Sequence, residues 1–554
     1  MDSGIHGGGA GGGAGNARLA GEEPKNPEKH EEPLRRSPMR RRVLAAIAVV
    51  AAAALAFSAC TPLLSLLPGT NRTVKPSYEP PATPEGTVEG FGAQQPNWVD
   101  CGNGMQCADV LAPLDWDDLS GEQIKLRLVK KPASGAEPLG TLFVNPGGPG
   151  SSGVDYVAEN IDHSVPQEVQ AAYDVIGWDP RGVAASTPVE CLDAAEMDDY
   201  LFGIDEHADL EVGSDEWIDA SLRETEEFGA ACQNRTGPLL GNVDTASTVR
   251  DLDMLRSIVG DDALNYLGFS YGTYIGARYA DAYPERVGRL VLDGAMDPTS
   301  TLADVVREQT LGFEQALRAY VTDCLGRSDC PLAGDVDQGM GQIRSLLDRV
   351  EDQPLRGADG RMVNSGTLLT AIITPLYSQN SWSYLDQLIT SVGEGDAEVA
   401  LSLADFYYDR EGGQYLSNST EAFAAINCLD YPSAELDRKR MRAEAAELEK
   451  IAPTIGKFQG YGDLSCAGWP YPGAADRAPV TGEGAAPILV VGTTGDPATP
   501  YKWAVSLAEQ LESGVLVTFK GEGHTAYGDS ECVDAVVDDY LLTGAVPAKD
   551  PQCT

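Results

Sequence analysis

Gly268-Phe269-Ser270-Tyr271-Gly272 is the run most suggestive of chemistry in this sequence. It follows Asn265-Tyr266-Leu267 and precedes a stretch of helical character, the strand–turn–helix context of a G-x-S-x-G nucleophile elbow. A turn that sharp leaves no room for side chains on either side of the serine. It also sets the hydroxyl at a helix N-terminus, where the dipole and the free N–H groups favour negative charge. A serine hydroxyl needs a base to take its proton. The chain has five histidines, His6, His30, His163, His207 and His524, and only His524 lies beyond Ser270. It stands in Gly521-Glu522-Gly523-His524, a glycine-rich loop after the apolar run 515–519. Where an elbow supplies the nucleophile, the chain order is serine, acid, histidine, so His524 is the expected base.

The acid that holds the imidazole is expected on a loop after another strand. Asp496 meets this in Gly492-Thr493-Thr494-Gly495-Asp496-Pro497-Ala498-Thr499-Pro500, after the apolar run 488–491. The 28 residues from Asp496 to His524 leave room for one helix and one strand. Asp293 and Asp297, just after the run 290–292, are the alternatives. Acyl transfer also needs two N–H donors for the developing oxyanion. Tyr271, directly after the nucleophile, is expected to give one. Gly148 is expected to give the other, from Asn145-Pro146-Gly147-Gly148-Pro149-Gly150. A phosphate loop would need a lysine followed by Ser or Thr, and Ser151-Ser152 stand there instead. None of the cysteine spacings is a C-x-x-C and histidine is scarce, which argues against a zinc site. Neither a metal nor a cofactor is expected.

These residues must be carried by a scaffold. Short apolar runs at 139–144, 173–178, 264–267, 290–292, 488–491 and 515–519 suit parallel strands buried on both faces. Residues 124–129 alternate, as in a half-buried strand. Helical stretches such as 248–259 and 274–282 fall between strands, so the pattern is that of an α/β protein with a mainly parallel sheet. The alternation stops after residue 292. Residues 296–485 are helix-rich, notably at 311–325, 341–350 and 434–450, and strands return at 488. The expected organisation is a sheet domain in two parts, 97–295 and 486–554, interrupted by a helical cap at 296–485.

The 554 residues carry a formal net charge of -44, which repels nucleic acid and anionic membrane surfaces. Arg40-Arg41-Arg42 precede an apolar stretch, 43–59, broken only by Ser58, as in a secretory signal. Phe57-Ser58-Ala59-Cys60 resembles a bacterial lipobox, with Phe where Leu is usual. Cys60 would then carry the lipid after removal of 1–59, and 60–96, rich in proline, would be a tether. The alternative is an uncleaved anchor helix, for which the stretch is barely long enough. Met39, directly ahead of the arginines, is the expected start. With Cys60 lipidated, ten of eleven cysteines remain, which suggests five disulfides in an exported protein. Their connectivity is open; sequential pairing would close short loops at Cys101–Cys107 and Cys324–Cys330.

Taken together, 147–150 as GGPG, 268–272 as GxSYG, Asp496 to Pro500 as D-P-x-T-P and Gly523-His524 resemble the proline iminopeptidase and tripeptidyl aminopeptidase family. Trp178-Asp179-Pro180-Arg181-Gly182 matches a further recurring segment. The resemblance spans roughly 97–554. It implies the α/β-hydrolase fold, with a helical cap inserted between late strands, and a serine exopeptidase that acts on free N-termini of peptides. Asn145-Pro146 replaces the His that precedes GGPG in proline iminopeptidases, which favours the secreted tripeptidyl aminopeptidase branch. The resemblance also implies an acidic cap residue for the substrate ammonium, since a buried ammonium needs an anionic partner. Asp430, at the end of Ala425-Ile426-Asn427-Cys428-Leu429-Asp430, is the candidate. The expected location is the outer face of the cell membrane, with membrane contact only through the lipid. An esterase or lipase would use the same triad, and a non-catalytic surface binding protein is the remaining alternative.

Overall fold

A computed structural model describes residues 78–203, 210–432, 436–473 and 477–554. The expectations for Met39, the signal segment, Cys60 and the first part of the tether lie outside the described residues. Ten strands form one sheet: β1 (Val99–Gly102), β2 (Met105–Pro113), β3 (Gln123–Lys131), β4 (Gly140–Asn145), β5 (Tyr173–Trp178), β6 (Leu264–Phe269), β7 (Val287–Asp293), β8 (Ile488–Gly495), β9 (Gly514–Glu522) and β10 (Gln552–Cys553). Their order is β1-β2-β3-β5-β4-β6-β7-β8-β9-β10. From β5 to β10 all neighbours are parallel, and β1, β2 and β3 add an antiparallel edge. This is the α/β-hydrolase fold. The central strands are apolar throughout because helices cover both faces: Ile488, Leu489, Val490 and Val491 are all fully buried. Each such side chain contributes about 1.5–3 kcal/mol of burial.

The parallel register places the C-terminal ends of β4, β6, β7, β8 and β9 side by side. Every residue expected to do chemistry in the sheet domain emerges from one of those ends. Between β7 and β8 the described residues form seven α-helices, from Leu302–Leu325 to Arg438–Ile451, and two very short hairpins. The helices from 302 to 407 enclose a second core around Leu317, Tyr320, Leu347, Leu385 and Ala404, which also takes in Phe202, Ala452, Ile455 and Ala498. Helix Ser419–Asp430 behaves differently. Its Ala422, Ala425, Ile426 and Leu429 join the core under the sheet, with Trp178, Tyr271 and Tyr274. Its ends and first turn are bonded to the sheet domain. The Asn418 side chain donates to the Gly182 and Val189 carbonyls and accepts from the Ala184 N–H, and the Glu421 carboxylate accepts from the N–H groups of Cys191 and Leu192.

Ten cysteines pair as Cys101–Cys107, Cys191–Cys232, Cys324–Cys330, Cys428–Cys466 and Cys532–Cys553. The last of these ties β10 to the helix Glu531–Thr543 that follows the His524 loop. Among the described residues no helix is long and apolar enough to cross a membrane.

Candidate active site

Ser270 directly follows β6 and caps the helix Tyr271–Ala282 at φ 55°, ψ -125°, a conformation that costs a non-glycine residue about 1–3 kcal/mol. The fold holds it there. The Ser270 N–H donates to the Asp293 carbonyl of β7 at 2.8 Å. A Cβ on Gly268 would stand 2.6 Å from the Gly272 carbonyl oxygen, and one on Gly272 would stand 2.8 Å from that of Asn145. Both elbow glycines are therefore required by space. The Tyr271 N–H lies in the first turn of its helix, where no intrahelical acceptor exists.

The glycine loop after β4 rests directly on this elbow. Gly147 has φ 95°, and a Cβ there would come within 2.5 Å of the Phe269 carbonyl oxygen and 3.0 Å of the Tyr271 nitrogen. Asn145 Oδ1 accepts from the Gly147 N–H at 2.9 Å and shapes the loop from within. Ser152 then caps the next helix, Gly153–Ser164, and its hydroxyl donates to Asp179 Oδ1 at 2.5 Å. Asp179 belongs to the Trp178–Gly182 segment. In that segment Arg181 is fully buried on Asp251, with nitrogen–oxygen distances of 2.7 and 2.8 Å. That motif thus braces the glycine loop rather than touching the nucleophile.

The other half of the site comes from β8 and β9. His524 Nδ1 stands 2.9 and 3.0 Å from the two oxygens of Asp496. The carboxylate is held in turn by the N–H groups of Ala498 and Thr499 and by the Thr499 hydroxyl, at 2.8–2.9 Å. The His524 N–H donates to the Tyr377 carbonyl at 2.8 Å, and the Tyr377 ring meets the imidazole edge-on at 5.5 Å. Burial pulls the imidazole toward its neutral form. The Asp496 charge and hydrogen bond, with Asp293 behind, outweigh this and leave its pKa above the ordinary value.

Asp293 does not bond to the imidazole; its Oδ2 accepts from the N–H groups of Ala526 and Tyr527. Asp297 lies elsewhere, bonded to Thr299 and Gln510. Asp430 is 2% exposed at the foot of helix Ser419–Asp430. It accepts from the Thr245 N–H at 2.8 Å and from the Thr245 hydroxyl at 2.5 Å, and the Tyr271 hydroxyl lies 3.5 Å away. Burial, only partly offset by those bonds, pushes its pKa up to about 6. Thr499 and Tyr377 were not singled out from sequence. Thr499 stands inside the quoted D-P-x-T-P run, whereas Tyr377 contributes through a backbone carbonyl and leaves no local signal.

A family profile described as TAP-like protein matches residues 452–553, which hold Asp496 and His524. Serine protease Hip1 of Mycobacterium tuberculosis is 35% identical over 527 residues, covering 92% of this chain and 98% of that protein. The chain belongs to the TAP-like α/β-hydrolase family. Within the same family range, a tripeptidyl aminopeptidase of Streptomyces lividans is 31% identical over 82% of this chain and 86% of its own length. A protein named carboxylesterase B of Mycobacterium tuberculosis is 35% identical over 81% of this chain and 86% of its own length. Among solved structures, a proline iminopeptidase of Mycobacterium smegmatis is 17% identical, covers 78% of this chain and 97% of its own, and has a TM-score of 0.33. The resemblance read from the four motifs thus holds across the folded part of this TAP-like serine hydrolase.

Proposed function

We propose that this protein is a serine exopeptidase that removes short segments from the free N-termini of peptides, with Ser270, His524 and Asp496 as its catalytic residues. The Asp496–His524 hydrogen bond carries the reading. With Nδ1–H committed to the carboxylate, Nε2 is the basic nitrogen, as a general base requires. In this mechanism Ser270 Oγ attacks the scissile carbonyl while Nε2 takes its proton. The Gly148 and Tyr271 N–H groups receive the oxyanion. The imidazolium, stabilised by Asp496, then gives its proton to the leaving amine, and water admitted to the site hydrolyses the acyl-enzyme by the same sequence in reverse roles. The names of the Hip1 and tripeptidyl aminopeptidase relatives support a peptide substrate.

For the substrate ammonium we keep Asp430 as the partner. It is a desolvated carboxylate beside the Tyr271 side chain, and an ammonium there would share Oδ2 with the Thr245 hydroxyl. Asp430→Asn should raise KM for free-amine peptides and leave simple esters unaffected. Equal loss on both would make Asp430 an anchor of Tyr271 instead, and no loss on either would pass the role to another acid. Lipid attachment at Cys60 and residence on the outer face of the membrane belong to the same proposal. Detection of Cys60 in a disulfide by non-reducing peptide mapping would remove them.

The carboxylesterase relative favours an esterase as the second reading. Hydrolysis of aminoacyl-naphthylamides of one to four residues, with free and blocked amines, against nitrophenyl esters separates the two. A free-amine requirement on amides supports the exopeptidase, and activity on esters alone supports the second reading.

A further inference from the structure

One buried carboxylate stands beside the catalytic residues without a part in the steps above. Asp293 ends β7 and is fully buried. Its own carbonyl takes the Ser270 N–H at 2.8 Å. Its side-chain Oδ2 takes the N–H groups of Ala526 and Tyr527, at 2.9 and 2.8 Å, immediately beyond His524. Its Oδ1 has no hydrogen-bond partner among the described residues. The next residue, Gly294, has φ 68°, and a Cβ there would lie 3.1 Å from His524 Cε1. The nucleophile and the loop of the base are therefore mounted on the same residue, one through its backbone and the other through its side chain.

A buried carboxylate with one unpartnered oxygen is costly, and a nearby cation would offset that cost. The charged and titratable groups facing Asp293 are few. His524 and Asp496 come from the loops after β9 and β8, Tyr156 from the helix Gly153–Ser164, and Tyr527 from the His524 loop. The Tyr527 hydroxyl is turned to Asp538 at 2.7 Å. Burial, with the Asp293 charge adding to it, pushes the Tyr156 hydroxyl up to about 12, so this phenol stays neutral. His524 is thus the group among these that can become a cation.

We propose that Asp293 is a positioning residue for the catalytic base: it fixes the backbone behind His524 and adds a second negative charge to the one Asp496 offers the imidazolium. The inference rests on the triad assigned above. It differs from a structural brace in one respect, because a brace would not alter the proton affinity of the imidazole. Burial, resisted by the two N–H bonds, pushes Asp293 up to about 6, so its charge is present at neutral pH and fades in mildly acidic solution.

The test is the pH profile of kcat/KM for the wild type, Asp293→Asn and Asp293→Ala on one amide substrate, with Asp496→Asn alongside. Asn keeps an oxygen for the two N–H groups and loses the charge. It should retain kcat within about tenfold at pH 8 and move the acid limb down by ~0.5 unit or more. Ala also loses the acceptor and should lower kcat further with KM little changed. An Asn variant whose acid limb stays at the wild-type midpoint would overturn the proposal, whether its kcat is normal or reduced. Should the variants not fold, the downfield Nδ1 proton of His524 can be followed by NMR in the wild-type protein, with His524→Ala for assignment. Two inflections are expected, one of them near pH 6, and a single one would overturn the proposal equally. Full activity of Ser270→Ala would instead mean that the triad reading had failed, a result these pH profiles cannot mimic.

Discussion

The two sides of the proposed catalytic centre are built by different means. On the base side, side chains hold side chains. Asp496 orients His524 and is itself held by Thr499 and two N–H groups. On the nucleophile side, position comes from backbone and from missing side chains. Ser270 is forced to φ 55° between Gly268 and Gly272, with Gly147 laid against Tyr271. Charge has to be placed on the first side and space kept clear on the second. The base side should therefore be sensitive to isosteric changes that alter charge, and the nucleophile side to the smallest increase in volume.

The largest effect should come from the nucleophile itself. Ser270→Ala should lower turnover on the order of a million-fold while leaving thermal unfolding unchanged. Substantial residual turnover in a clean preparation would break the assignment of that side. Next is the charge on the base side. Asp496→Asn should lower kcat by about 10⁴-fold with the geometry intact, far more than Asp297→Asn, whose carboxylate is bonded elsewhere. If Asp297→Asn were the inactive variant, the contrast drawn here would collapse.

On the nucleophile side, one methyl group should suffice. Gly147→Ala places a Cβ at 2.5 Å from the Phe269 carbonyl oxygen and must push the loop off the elbow. Displacing one oxyanion donor costs ~10²–10³ in kcat. Measured kcat near the wild-type value would mean that this loop does not present the donor.

The smallest effect sharpens the comparison through stability. Asp430, which lies beside the Tyr271 side chain, has a folded pKa of about 6 against an ordinary 3.8. The folded state therefore binds its proton more tightly than the unfolded one. That stabilisation is complete below the unfolded value and is lost as pH rises through 6. From pH 4 to pH 7, Asp430→Asn should gain up to ~3 kcal/mol relative to the wild type in denaturant unfolding. A pH-independent difference would show that Asp430 stays ionised throughout.

Much of this was legible in the sequence because buried parallel strands must be apolar on both faces. The run 173–178 coincides with β5, and each of the other five apolar runs falls on a sheet strand. β2 was not legible. It carries Asp109, whose charge reads as surface, yet the residue is fully buried in an ion pair with Arg127 of β3. The pairing of Asp496 with His524 could be anticipated because histidine is scarce and few acids precede it after a strand. The roles of Tyr377 and Asp293 could not, since one acts through a carbonyl and the other through N–H groups 233 and 234 residues away. The placement of helix Ser419–Asp430 was also beyond sequence pattern, which reports periodicity and not the partner that a helix chooses.

That helix has a mechanical consequence. It is riveted to the sheet domain by Asn418 and Glu421 at one end and by Asp430 at the other, and Cys428–Cys466 clamps it from a third direction. A lid that swung as one rigid flap from the ends of β7 and β8 would have to break the Asn418, Glu421 and Asp430 attachments together. The helices of 302–407 are tied to the sheet domain as well, since the Tyr377 carbonyl holds the His524 N–H and their core takes in Phe202 and Ala498.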